Sequence, residues 1–206
     1  NDTRYVMIDN MGERREYILQ KINKNVFKRP DLLMENYAGV TSFLRDIIIS
    51  KGGDPDRETL SLVKSLDGKY YHENENGFYR MYLYITEATC YNKAEKAGMF
   101  GESAKAFGRF QNLLAEFDAK SLSETIKDFH NTPVRFQNLV NAINADKAGR
   151  VAECKEEIDF YLARKEFCSV ITDRLADGRL PVRVTHNDTK LNNVMLDEKT
   201  GKPTCI

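Results

Sequence analysis

The chain has 206 residues, 41% hydrophobic and 30% charged, enough to bury a core in one large domain or two small lobes. Its 31 basic and 31 acidic residues cancel, which disfavours a global electrostatic grip on nucleic acid and leaves a local basic patch open. No apolar run approaches the roughly 18 residues of a membrane span, so no membrane association is expected, and no secretory signal is expected either. Cys90, Cys154, Cys168 and Cys205 form no CxxC pair and have no histidine at ligand spacing. That fits neither a zinc site nor a disulfide framework, and a reducing cytoplasm is the expected location.

The first third reads as antiparallel sheet. Residues 4–9 and 14–20 are strand candidates joined at Asn10-Met11-Gly12-Glu13, where Gly12 is available for positive φ. Residues 21–30 form an irregular link. Residues 31–49 carry a helical stripe of Leu32, Leu33, Asn36, Tyr37, Val40, Phe43, Leu44 and Ile47. Pro30 and Asp31 suit its first turn, and Lys51-Gly52-Gly53-Asp54-Pro55 stops it. Strand signals return at 59–64, 69–73 and 78–85, separated by the hairpin dipeptides Asp67-Gly68 and Asn76-Gly77. The expectation is a five-stranded sheet with one inserted helix.

Beyond Thr86 the pattern turns helical. Residues 99–117 place Phe100, Ala104, Phe107, Phe110, Leu114 and Phe117 on one face. Residues 133–145 predict a shorter helix and 147–176 a long one, with Cys154 and Cys168 as buried filler on its face and Gly178 just past its end. A strand at 181–185 then leads into His186, and residues 194–196 and 203–206 predict a last hairpin. The fold class is α+β, with a boundary near residues 86–90: a sheet lobe over 1–88 and a helical lobe over 89–206 meeting at a cleft.

The most informative stretch is Val182-Arg183-Val184-Thr185-His186-Asn187-Asp188-Thr189-Lys190-Leu191-Asn192-Asn193-Val194-Met195-Leu196, with the skeleton His-x-Asp-x-x-x-x-Asn. Phosphoryl transfer needs a carboxylate to orient and deprotonate an attacking hydroxyl. It also needs a neutral oxygen nearby to hold Mg²⁺ against the phosphates. With 3 His, 15 Asp and 16 Asn in 206 residues, about 0.02 such matches are expected by chance. The competing reading is a polar turn in which Asp188 and Asn193 cap backbone groups.

This loop resembles that of the aminoglycoside phosphotransferase and choline kinase superfamily, whose fold is protein-kinase-like with two lobes. The resemblance implies an ATP- and Mg²⁺-dependent small-molecule kinase with Asp188 as catalytic base and Asn193 as a Mg²⁺ ligand. It implies His186 as the brace of the catalytic loop. Lys190 is implied as a phosphate neutraliser or a solvated lysine. Tyr17-Ile18-Leu19-Gln20-Lys21-Ile22-Asn23, Asn25-Val26-Phe27, Leu33-Met34-Glu35-Asn36, Gly108-Arg109-Phe110-Gln111 and Asp128-Phe129-His130-Asn131-Thr132-Pro133 are similar to the N-acetylhexosamine 1-kinase branch. Those enzymes use ATP to phosphorylate the anomeric hydroxyl of GlcNAc or GalNAc. The alternatives are a kinase for an aminoglycoside, choline or homoserine, or an inactive nucleotide-binding protein of the same fold.

The resemblance also implies a glycine-containing phosphate loop before Asn1-Asp2-Thr3-Arg4 and a second metal aspartate after Cys205-Ile206. On that basis the chain is expected to be cut at both ends and, alone, inactive. The strand at 17–20 is where the family carries its phosphate-pairing basic residue. Gln20 holds that position and Lys21 stands beside it, as a ligand or as a solvated cation. Glu35 is the candidate partner of that cation or a solvated helix residue. Thr86, Glu87 and Ala88 follow the last strand of the sheet lobe, where kinases bind adenine through backbone groups. His130 is a turn residue before a helix or a contact to the sugar substrate.

Overall fold

A computed structural model describes residues 2–206; Asn1 lies outside them. The chain is α+β, and its backbone contacts separate two units. One runs from the N-terminus to Thr125 and includes Arg183–Ile206; the other is Ile126–Val182.

The first unit opens on a hairpin of β1 (Asp2–Asn10) and β2 (Glu13–Lys21). Its connection is two residues, Met11 and Gly12, both at positive φ (54° and 90°), the geometry that matches strand twist. Helix α1 (Pro30–Ser50) follows, with Pro30 at its first turn. A short helix α2 (Pro55–Glu58) is started by Asp54, whose carboxylate accepts from the Asp56 N–H at 3.0 Å. Strands β3 (His72–Asn74) and β4 (Gly77–Leu83) complete a four-stranded antiparallel sheet in the order β1-β2-β4-β3.

The predicted fifth strand at 59–64 is an irregular segment instead. It touches β4 through one bridge, Leu62 to Tyr82, and through the Val63 N–H to Met81 and Leu83 N–H to Ser61 bonds. β3 occupies the other end of the same edge of β4, so the segment has only that short length of ladder to join.

A second, three-stranded antiparallel sheet links β5 (Ala88–Cys90), β6 (Met195–Asp197) and β7 (Pro203–Cys205) in that order. Helix α3 (Met99–Leu113) precedes a turn at 114–117. Its buried face carries Met99, Ser103 and Ala106, whereas Phe100, placed on the apolar face from sequence, is exposed.

Four apolar clusters hold this unit. Ile22, Leu33, Met34 and Phe78 join the first half of α1 to the sheet, with the Tyr71 ring stacked on Phe78 at 4.4 Å. Leu44 and Ile48 from the second half of α1 meet Leu114 and Val184. Met99 and Ala106 of α3 meet Val194 and Leu196. Ile85, Ala88 and Cys205 form the fourth. Each buried aliphatic or aromatic side chain of this kind contributes about 1.5–3 kcal/mol.

The second unit contains α4 (Thr132–Ala145), α5 (Lys155–Leu162) and α6 (Val170–Ala176). Asn131 caps α4, its side-chain oxygen accepting from the Val134 N–H at 3.4 Å. The single helix predicted over 147–176 is instead broken into α5, α6 and two 3₁₀ turns at Val151–Cys154 and Lys165–Phe167. The apolar periodicity is present, but none of these residues is fully buried. Helical propensity without a packed face does not sustain 30 residues. Cys154 and Cys168 accordingly lie on separate segments and are only partly buried. No helix among the described residues is long and apolar enough to cross a membrane.

Candidate active site

The strand predicted at 181–185 is absent: among the described residues this stretch belongs to no strand or helix. Its one buried residue, Val184, is seated on Leu44, Ile48 and Leu114, and the Arg183 guanidinium donates to the Ala115 carbonyl. On the far side, Leu191, Val194 and Leu196 are buried, the last two against α3. Between these anchors, residues 185–190 are polar and largely exposed. Apolar residues at both ends therefore fix the loop and leave its chemistry at the surface.

Within the loop, Asn187 adopts a left-handed conformation (φ 66°), and the Thr185 hydroxyl donates to its side-chain oxygen at 2.7 Å. A 3₁₀ turn at Leu191–Asn193 curls the chain back. The Asn193 amide nitrogen then donates to Asp188 twice, to the carbonyl at 2.7 Å and to Oδ2 at 2.8 Å. The Lys190 ammonium lies 3.0 Å from the same Oδ2. These two contacts, Lys190 first, hold the Asp188 carboxyl below the usual carboxylate range. Asp188 is thus an ionised, oriented and solvent-facing carboxylate.

His186 is half-buried against the rings of Phe107 (5.4 Å) and Phe110 (6.1 Å), both edge-on. Its Nδ1 accepts from the Asp188 N–H at 3.3 Å, which leaves Nε2 as the protonated nitrogen. Burial lowers the His186 pKa, against an opposing pull from Asp188. The ring thus links the backbone of Asp188 to the aromatic side chains of α3.

The second sheet sets Ala88–Cys90 beside β6, the strand that follows this loop. Ala88 pairs with Asp197 and Cys90 with Met195, two residues past Asn193. Asn192 also donates to the Asn92 side chain at 3.0 Å. Glu87 has a positive φ of 52°. Its carbonyl accepts from the Glu198 N–H at 3.0 Å, and its carboxylate pairs with Lys199 at 2.6 Å. The Thr86 carbonyl accepts from Arg57 of α2 at 2.7 Å, and Arg57 also reaches Asp197 at 3.2 Å. Two backbone acceptors of the segment are therefore already engaged. Arg57 and the hairpin turn at 197–199 tie it down; the turn is legible in the sequence, and neither Arg57 nor its contacts are.

Other candidates stand apart. Lys21 is exposed, with its ammonium 5.9 Å over the Tyr79 ring. Glu35 is exposed on α1, and among the described residues no ion pair joins it to Lys21. Gln20, on the alternate face of β2 from Lys21, accepts instead from the Arg80 Nε at 2.9 Å. His130 belongs to the second unit, its ring 4.5 Å from that of Phe129.

The donor chemistry suits a hard cation only in part. Asn193 turns its amide nitrogen to Asp188, leaving the amide oxygen as a ligand atom. The side-chain oxygen of neighbouring Asn192 is buried without a hydrogen bond. Among the described residues no group of three His, Cys, Asp or Glu side chains could hold a metal ion. Mg²⁺ commonly takes one or two protein oxygens with water and substrate phosphates completing its shell, and Asn193 fits that role.

No protein-family model matches the chain. It is similar to a protein named chaperone protein ClpB from Rhodopseudomonas palustris, 26% identical over 171 residues, covering 77% of this chain. The chain spans only 19% of that relative's length. Among solved structures it is similar to spectinomycin phosphotransferase APH(9)-Ia in complex with ADP and spectinomycin. There the TM-score is 0.37 and the identity 11%, over 98% of this chain and 64% of that one. At that score the likeness assigns neither a fold family nor an activity.

Proposed function

We propose that the chain is part of an ATP-dependent small-molecule phosphotransferase of kinase-like, two-lobe organisation, with residues 1–88 and 89–206 contributing the lobes. The observation that carries this is the Asp188 carboxylate, exposed but oriented by Lys190 and Asn193 in a loop anchored on buried residues at both ends. A polar turn serving only to cap backbone groups would not need a lysine and an amide converging on one carboxylate oxygen.

In this reading the acceptor hydroxyl donates a hydrogen bond to Asp188. Its oxygen forms a bond to the γ-phosphorus of ATP as the bond from that phosphorus to the β–γ bridging oxygen breaks. The hydroxyl proton passes to the Asp188 carboxylate, and ADP leaves with the bridging oxygen. With its pKa held low, Asp188 is a weak base, and its chief contribution is to orient the hydroxyl, as suits a transition state in which the proton moves late. Lys190 screens charge beside it. Asn193 would hold a Mg²⁺ ion, which when bound offsets charge on the phosphates. Residues 86–88 would pack against the adenine, with the Thr86 and Glu87 carbonyls kept by Arg57 and Glu198. The acceptor we infer is the anomeric hydroxyl of an N-acetylhexosamine, GlcNAc or GalNAc, supported by the branch-like segments around Tyr17, Met34 and Asp128.

The test is to incubate the full-length protein with ATP, Mg²⁺ and a panel of GlcNAc, GalNAc, choline, homoserine and kanamycin, and to locate the new phosphate by phosphorus NMR. Phosphate on the anomeric oxygen supports the proposal. Turnover only with the other acceptors rejects the sugar and keeps the phosphotransferase. Nucleotide binding with no turnover on any acceptor points to an inactive binding protein.

A further inference from the structure

Arg80 stands in the middle of β4 and is only 8% exposed. It lies in register with Gln20, which in turn faces Thr3, so the three residues form one row across β1, β2 and β4. Gln20 is fixed in that row, its amide donating to the Thr3 hydroxyl at 2.9 Å and its carbonyl accepting from the Arg80 Nε at 2.9 Å. On the helix side, the Tyr37 ring stacks 4.1 Å from the guanidinium carbon, and Tyr82 stands 5.7 Å away. Nη2 reaches only the Tyr37 hydroxyl, at 3.5 Å, and Nη1 is buried with no hydrogen-bond partner.

A guanidinium carries five N–H donors, and here most of them lack an acceptor. Two aromatic faces offset part of its desolvation, but no carboxylate among the described ion pairs neutralises it. A buried cation in that state is costly unless an anion completes it. The fork of Nη1 and Nη2 matches two oxygens of a tetrahedral phosphate. Lys21, the residue after Gln20 on β2, points to the opposite face of the sheet.

We propose that Arg80, not Lys21, is the cation that pairs with the phosphate tail of the nucleotide. Gln20 aims the guanidinium, and the long Tyr37 contact is the one that yields when the anion arrives. This rests on the phosphotransferase reading, and it adds a residue from β4 that no loop motif contains.

The experiment compares the full-length wild type with Arg80→Met, Arg80→Lys and Lys21→Met by calorimetric binding of ATP, adenosine and inorganic tripolyphosphate, with melting temperatures alongside. Arg80→Met is expected to weaken ATP and tripolyphosphate about tenfold or more, the loss of a charge-assisted hydrogen bond, and to leave adenosine within about twofold. Arg80→Lys should recover part of the loss, and it carries the test alone if the Met variant does not fold. Lys21→Met should change ATP binding by less than about threefold. Equal losses for ATP and adenosine would mean that Arg80 only holds the fold, and ATP binding unchanged in both Arg80 variants would overturn the proposal while leaving the phosphotransferase standing. Arg80-dependent binding of tripolyphosphate with no preference for ATP would keep the anion site and reject the nucleotide. A wild type that binds neither would overturn both.

Discussion

The two units are built from similar apolar material and differ in what they do with it. Every fully buried apolar side chain among the described residues lies in the first unit. In residues 126–182 none is buried, and Phe160, Tyr161, Phe167 and Ile171 are exposed, Phe167 to 76%. The first unit has sheet faces against which α1 and α3 can press a stripe, and the second has helices and turns with no sheet. Local stability follows buried contacts, so the first unit is the firmer base. The loop with Asp188 grows from that base, with Val184 on one side and Leu191 and Val194 on the other, and exposes only the residues between. Its chemistry and its stability are therefore carried by different side chains.

The largest effect should show that separation. On the proposed function, Asp188→Asn removes the carboxylate that would orient the acceptor hydroxyl and take its proton. A fall of about 10²- to 10⁴-fold in kcat is expected, with ATP affinity within a few-fold and an unchanged melting temperature. Near-normal kcat, or activity lost only through unfolding, would reduce the loop to a polar turn. Next in size is the contrast in cores. Phe78→Ala, at 1% exposure in the first cluster, should cost about 3–5 kcal/mol in urea denaturation, whereas Phe160→Ala in the second unit should cost under about 1 kcal/mol. Comparable losses at the two positions would show that the second unit holds a core of its own.

What could be read in the chain tracks how local each feature is. The β1–β2 hairpin turns on Met11-Gly12 and α1 rests on a stripe of 3.6-residue period, while the β3–β4 hairpin turns at Glu75-Asn76, one residue before the dipeptide read from sequence, with Gly77 opening β4, all signals contained within a few neighbours. The group at Asp188 was legible for the same reason, since His186, Lys190 and Asn193 all lie within five residues of it. Pairing between β5 and β6 was not, because it joins residues more than 100 apart. The tie of Thr86 and Glu87 to Arg57 and Lys199 was hidden likewise. Helix α2 has a readable start in Asp54-Pro55, a pair the sequence reading takes only as the stop of α1. Arg80 also left a trace, a lone charge at a core-facing position of Phe78-Tyr79-Arg80-Met81-Tyr82, but its meaning needed Tyr37 and Gln20 in place.

The smallest effect probes the seam between base and loop, at His186. Its ring packs on Phe107 and Phe110 while its Nδ1 holds the Asp188 N–H, so it belongs to both. Burial lowers its pKa most, Asp188 pulls the other way, and Lys190 adds to the lowering. A histidine whose folded pKa is depressed binds a proton more readily in the unfolded chain. Its contribution to stability is therefore complete above the unfolded value of about 6.5 and is lost as pH falls from there through the folded value. One such group changes stability by at most about 1.4 kcal/mol per pH unit, and half-exposure makes the real slope smaller. His186→Asn keeps an acceptor for the Asp188 N–H and removes the titration. Between pH 7.5 and 5.5 the wild type should lose more melting temperature than this variant, by a few degrees at most. If the two fall in parallel, the ring is solvated in the folded chain. If the wild type instead gains on the variant as acid is added, the Asp188 charge outweighs burial, and His186 is a charged partner of the carboxylate rather than a neutral brace.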